Sequence, residues 1–119
     1  MPSIGGPLDP DAGHGRANFI IGDCFGSACA PYITDAVERT ISGFGYGVAR
    51  NKPFAGGFTT RHYGQPRDGV HAVQIEINRG LYMNEINIEK NGSFDRIAAQ
   101  MTDVIAALAR LTAQDLAAE

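Results

Sequence analysis

Apolar positions follow three different rhythms along this chain. Phe19-Ile20-Ile21 is a short unbroken apolar run stopped by Gly22-Asp23, which predicts a buried strand. From about Ala30 to Ser42 the spacing becomes helical, with Ile33, Val37 and Ile41 beside Ala30, Ala36 and Thr40 on one face. Pro31 suits the first turn, where a missing N–H is harmless, and Gly43 and Gly45 stop the helix. Tyr46 to Arg50 reads as a second short strand. Val70 to Asn78 alternates: His71, Val73, Ile75 and Ile77 point one way, and Ala72, Gln74, Glu76 and Asn78 the other. From about Phe94 to Ala118 a stripe of Ile97, Ala98, Met101, Val104, Ile105, Leu108 and Leu111 predicts a long helix. Ser93 stands at its N-cap and Asp95 in its first turn.

The intervals read as loops. Residues 1–17 are broken by Gly5, Gly6, Pro7, Pro10, Gly13 and Gly15, with Asp9 and Asp11 as turn formers. Residues 22–27 form a glycine-rich turn and residues 51–69 a long loop. Strand, glycine turn, helix, glycine turn, strand is the order of a βαβ unit. The expected fold class is therefore α/β, with a partial, mostly parallel sheet and flanking helices. Ligands in such sheets bind at the carboxyl ends of the strands.

Composition narrows the function classes. The 119 residues suffice for a single domain, 1–119. A net charge of -3 gives no electrostatic footprint for nucleic acid or an anionic membrane. Apolar runs are too short for a transmembrane helix. The opening residues lack a basic segment followed by an apolar core, so a cytoplasmic location is expected. Fourteen of the 15 glycines lie at or before position 80, which separates a loop-rich body from a glycine-poor tail.

Glu76 is the most informative polar residue, a carboxylate near the end of an apolar strand beside Gln74 and Asn78. A buried carboxylate needs a partner or a shifted pKa; on a wet sheet face it is ordinary. Arg79 follows directly, and a surface cation is its plainer reading. In the loop after Arg50, Gly56-Gly57 lets backbone approach a ligand. Arg61 can clasp a carboxylate through two hydrogen bonds, and Thr60 and Tyr63 supply hydroxyls. A solvated connection is the plainer reading, but long ordered loops in small domains usually bind something. His14, His62 and His71 show no zinc spacing, and His71 fits a packed or capping role. Cys24 and Cys29 lack the two further ligands of a structural zinc site and are expected to be reduced and inert. The glycine pairs match neither a dinucleotide nor a P-loop fingerprint.

Several segments taken in order resemble the N-formylglutamate amidohydrolase family. They are Ala17–Asp23, Cys29-Ala30-Pro31, Tyr46–Asn51, Phe54–Gly64 with its Gly-Gly-x-Thr-Thr-Arg-His-Tyr-Gly core, and Val73–Met83 with Gln-Ile-Glu-Ile-Asn-Arg. The resemblance implies a zinc-dependent amidase with a zinc carboxypeptidase-like α/β fold, cleaving N-formyl-L-glutamate to formate and L-glutamate in histidine degradation. It implies that Glu76 activates the attacking water and shuttles its proton. Arg61 and Arg79 would hold the substrate carboxylates, and Asn51, Gly57, Thr60 and Tyr63 would line the pocket. Asn84 replaces the family's usual Asp, and Phe54 and Phe58 replace Tyr.

The same resemblance implies that the chain is the carboxyl-terminal portion of a larger amidohydrolase domain. Met1-Pro2-Ser3 matches an internal point of the family sequence, just after an Asp-x-His-Ser ligand motif, so the zinc ligands are expected ahead of Met1. A partial sheet would leave strand edges open to self-association. The competing reading is a non-catalytic remnant or carboxylate-binding module that lacks the metal site.

Overall fold

Four consecutive buried positions make β1 (Phe19–Gly22) the centre of the structure. The computed structural model describes residues 1–111. On one side β1 pairs in parallel with β2 (Val48–Arg50), Phe19 opposite Val48 and Ile20 opposite Ala49. On the other it pairs antiparallel with β3 (Gln74–Ile77), Ile20 opposite Glu76 and Gly22 opposite Gln74. The sheet order is β2-β1-β3.

The sheet is thus mixed, not mostly parallel, and the path of the chain gives the reason. After β2, the Asn51 N–H donates to the Ile21 carbonyl at 2.8 Å, and the Ala55 carbonyl accepts from the Cys24 N–H at 2.8 Å. Gly64 then lies against Ala28, whose carbonyl oxygen would sit 2.5 Å from an added Cβ. The connection never returns to the amino end of the sheet. It re-enters beside Gly22, so β3 must run against β1.

Helix α1 (Pro31–Gly43) and the last helix, Phe94–Ala109, both cover one face of the sheet. Phe19 and Ile21 interlock there with Val37, Ile41 and Val104, surrounded by Val48, Ile75, Ile77, Met101 and Leu108. Burying one such aliphatic or aromatic side chain contributes about 1.5–3 kcal/mol. The expected stripe on the last helix narrows, because Ile105 is 67% exposed and Ala98 also faces solvent. Ile97, Met101, Val104 and Leu108 recur every three or four residues, and a position one step from Val104 turns about 100° away. Ser93 holds the N-cap position, yet its hydroxyl accepts from Arg96 rather than from a helix N–H. The extension expected beyond 111 lies outside the described residues.

The long loop holds structure that its glycines and prolines masked: a short helix α2 (Phe58–Tyr63) and a 3-10 turn at Pro66–Asp68. The alternating segment is strand only from Gln74. Ala72 instead donates its N–H to the Ala28 carbonyl at 2.9 Å. A small hairpin of β4 (Met83–Asn84) and β5 (Glu89–Lys90) precedes the last helix, α3 (Phe94–Ala109). At its tip Ile86 and Ile88 are 91% and 79% exposed, and Ile88 has φ 55.

The other sheet face, carrying Ile20, Ala49 and Glu76, is roofed by residues 1–17 and the segment after β2. The leading segment closes on itself, with Gly5 N–H to His14 O at 3.0 Å and Arg16 N–H to Ser3 O at 2.9 Å. Its anchor is Arg16, whose side chain is only 1% exposed. The guanidinium donates to Asp9 at 2.6 Å and to Asp11 at 2.8 and 2.9 Å, and lies 4.8 Å from the Phe54 ring centre. Asp9 is held below its ordinary pKa by the Gly6 N–H and by Arg16, and Asp11 by Arg16. Both carboxyls ionise more readily in the folded chain than in the unfolded one. Their contribution is therefore complete above the unfolded value of 3.8 and is lost as pH falls through the folded values. Thermal melts between pH 2 and 6 should be flat near the upper end and fall steeply below about pH 4. Asp11→Asn should be less stable at pH 6 and show a shallower acid decline; an unchanged acid limb would remove this ion cluster from the cause.

Candidate functional site

The roofed face and the adjoining strand end form the candidate site. An open cleft of about 500 Å³ is bounded by Pro10, Arg16, Ile20, Ala49, Lys52 and Pro53. Its floor residue Ile20 pairs directly with Glu76, so the two side chains share a face. Glu76 is partly exposed, 29% by side chain.

Gln74 organises the polar groups here. Its Oε1 accepts from the Gly57 N–H at 2.9 Å and from the Thr60 hydroxyl at 3.4 Å. Its Nε2 donates to Glu76 Oε1 at 2.9 Å. The amide orientation follows from the Gly57 N–H, which requires an acceptor. The other carboxylate oxygen of Glu76 lies 3.8 Å from the Met1 amino nitrogen, which also donates to the Ile77 carbonyl at 2.8 Å. Burial lowers the pKa of that ammonium, and Glu76 opposes the shift.

The close backbone approach belongs to Gly56 rather than Gly57. Gly56 has φ 133, and a Cβ there would fall 2.9 Å from Cys24 Sγ. Gly57 has ordinary extended backbone, caps α2 and contributes its N–H. Gly22 is equally constrained, since a Cβ would meet the Ala55 carbonyl oxygen at 2.6 Å. Thr60 is buried, whereas Arg61, His62 and Tyr63 are exposed. His62 stacks on Phe58 at 4.9 Å and meets Tyr63 edge-on at 4.8 Å. Arg61 makes no ion pair among the described residues.

Asn51 anchors a turn. Its Oδ1 accepts from the Asp23 N–H at 3.1 Å and the Phe25 N–H at 3.2 Å, with the residue itself at φ 63. Asp23 is buried and accepts from the Gly26 N–H at 3.0 Å and the Thr34 hydroxyl at 3.0 Å. Burial opposes its ionisation, but the hydrogen bonds from the Asn51 side, Gly26 and Thr34 outweigh this and hold its pKa below the ordinary range. Arg79 lies at the opposite end of β3; the strand carries Asn78 roughly 13 Å from Gln74. There Arg79 Nε donates to Glu85 at 3.3 Å, and Glu85 also accepts from the Ser3 N–H and hydroxyl. The structure thus brings Gly57, Thr60 and Glu76 together through Gln74, sets Arg61 and Tyr63 on the adjoining helix, and leaves Arg79 apart.

Sequence reasoning missed three roles: the Gln74 bridge, the buried Asp23 and the Arg16 anchor. Gln74 was visible as a same-face neighbour of Glu76, two residues away. Nothing local in the sequence marks the other two.

The donors here do not suit a zinc ion. The Gln74 amide nitrogen donates to Glu76. His14 lies on the leading loop with Nδ1 3.0 Å from the Ala12 carbonyl, His62 stacks on Phe58, and His71 Nδ1 accepts the Ala30 N–H at 3.1 Å. Among the described residues no three His, Cys, Asp or Glu side chains converge. No helix among them is long and apolar enough to cross a membrane.

The fold and site define a mixed α/β protein with one sheet face packed by two helices and the other covered by the leading segment beside an open cleft. A family model described as N-formylglutamate amidohydrolase matches residues 1–83, and the chain belongs to that family. It is 41% identical over 69 residues to an N-formylglutamate deformylase of Pseudomonas aeruginosa and 36% identical over 69 residues to one of Pseudomonas putida. Each match covers 57% of this chain and 26% of the relative, so the match spans about a quarter of those curated proteins. A crystal structure of N-formylglutamate amidohydrolase from Ralstonia eutropha JMP134 superposes with a TM-score of 0.72 at 34% identity, covering 93% of this chain and 39% of that one.

Asn51 offers a direct test of how the turn is held. Asn51→Ala should cost about 1–3 kcal/mol, because two N–H groups lose their acceptor. Asn51→Gly should cost less, since it keeps the left-handed backbone free of strain. Urea midpoints of the two variants report this, and equal midpoints would contradict it.

Proposed function

We propose that this chain carries the proton-handling and substrate-holding part of an N-formylglutamate amidohydrolase site, within a larger amidohydrolase domain. The reaction is hydrolysis of N-formyl-L-glutamate to formate and L-glutamate. The hydrogen-bonded line Gly57–Gln74–Glu76, with Arg61 exposed on the helix that Gly57 caps, supports this reading most directly. Glu76 takes a proton from the water that attacks the formyl carbonyl and returns it to the departing amine. Arg61 binds a substrate carboxylate through its two-pronged guanidinium. Tyr63 and Thr60 border that carboxylate, while Arg79, paired with Glu85 past the far end of β3, stays outside this pocket. Zinc, which the family resemblance implies, finds no set of three donor side chains among the described residues.

A second reading is favoured by one observation, the lack of a convergent metal-donor set among the described residues. In it, the chain binds N-acyl amino acids or dicarboxylates without turnover. Formate release from N-formyl-L-glutamate, with and without added zinc, separates the two. If the chain is active, Glu76→Gln should lower kcat by about 10²–10⁴-fold with little change in melting temperature. Unchanged turnover would take Glu76 out of the chemistry. If no formate appears, calorimetry with L-glutamate and N-formyl-L-glutamate should find binding that Arg61→Ala weakens.

A further inference from the structure

We infer that Gln74 is the positioning residue for Glu76, and that it ties the carboxylate's orientation to the loop that carries Arg61. The inference rests on the reading of Glu76 as the proton-transfer group. Gln74 and Glu76 are two residues apart on β3, so both side chains rise from the same face. A free glutamate has three side-chain torsions to fix, and β3 is an edge strand whose own backbone fixes none of them. The Gln74 Nε2–H bond to Glu76 Oε1 at 2.9 Å restricts them.

The same amide is itself restrained. Its oxygen accepts from a backbone N–H, Gly57, and from the buried Thr60 hydroxyl. Gly57 is the N-cap of α2, and Thr60 and Arg61 are adjacent on that helix. One side chain therefore spans the general base and the carboxylate-binding loop. Displacement of α2 would pull on Gln74 Oε1 and, through Nε2, on Glu76. Closing α2 on a bound carboxylate would lock the base in place.

Glutamine is the residue type that does this. A glutamate at 74 keeps an acceptor for Gly57 but sets a negative charge against Glu76. A methionine keeps the shape and loses both bonds. The test uses both substitutions and two readouts. Amide exchange at Gly57 should stay slow in Gln74→Glu and become at least tenfold faster in Gln74→Met. Three-bond couplings should give one Glu76 rotamer in the parent chain and averaged rotamers in both variants. In the active enzyme both variants should lose at least tenfold in kcat, with KM within about twofold; a purely structural residue would instead move both variants' melting temperatures and KM together.

The outcomes separate cleanly. An averaged Glu76 in the parent chain, or full kcat in Gln74→Glu, overturns the role of Gln74. If Glu76→Gln itself keeps full turnover, the reading of Glu76 fails and this inference falls with it. If Glu76→Gln is inactive while Gln74→Met is fully active, only the positioning role fails.

Discussion

The carbonyl of Ala55 rests on the end of β1, and most of the architecture follows from that contact. It accepts the Cys24 N–H at 2.8 Å and lies where a Cβ on Gly22 would stand. Hydrogen at position 22 is the only side chain that leaves room. With the crossing segment seated there, Gly56 reaches Cys24, α2 hangs beside Gln74, and β3 enters from the same end as its neighbour finishes. Antiparallel pairing of β3 is thus a consequence of where the loop is pinned, not of any preference in β3 itself.

This pinning also couples stability to chemistry. The groups that hold the crossing segment and the groups proposed to act on substrate share side chains. Asn51 secures the turn that contains the buried Asp23, and that carboxylate secures Thr34 near the start of α1. Two residues past Ala55, Gly57 hands its N–H to Gln74. Precision at Glu76 is therefore inherited from a chain of contacts that begins in the core and ends in solvent. Arg79, at the far end of β3, stands outside that chain.

Much of this was legible in the sequence, and the gaps have physical causes. The apolar run at Phe19–Ile21 and the helical stripe of α1 depend on local periodicity, which a sequence displays directly. The direction of β3 depends on a contact between residues 22 and 55, which no local pattern encodes. Phe58–Tyr63 carries a short helix among residues that read as loop, since glycines on both sides mask a turn held by tertiary packing. The site shows the same division. Glu76 and the Gly-Gly-x-Thr-Thr-Arg segment stood out by type and spacing. Gln74 looked like a neutral neighbour until its two hydrogen-bonding ends were seen to meet different elements. Asp9 and Asp11 read as turn formers because their shared partner, Arg16, acts only once the leading segment has closed.

The sheet joins two layers that are held by different forces. Beneath it, α1 and α3 are held by apolar burial, whose strength fades on cooling. Above it, the leading segment is held by a guanidinium between two carboxylates and by backbone hydrogen bonds. Cooling therefore weakens the contribution that holds the helical layer more than the one that holds the polar roof. The candidate site draws on both layers, since its hydrogen bonds lead back through the turn at Asp23 to the start of α1.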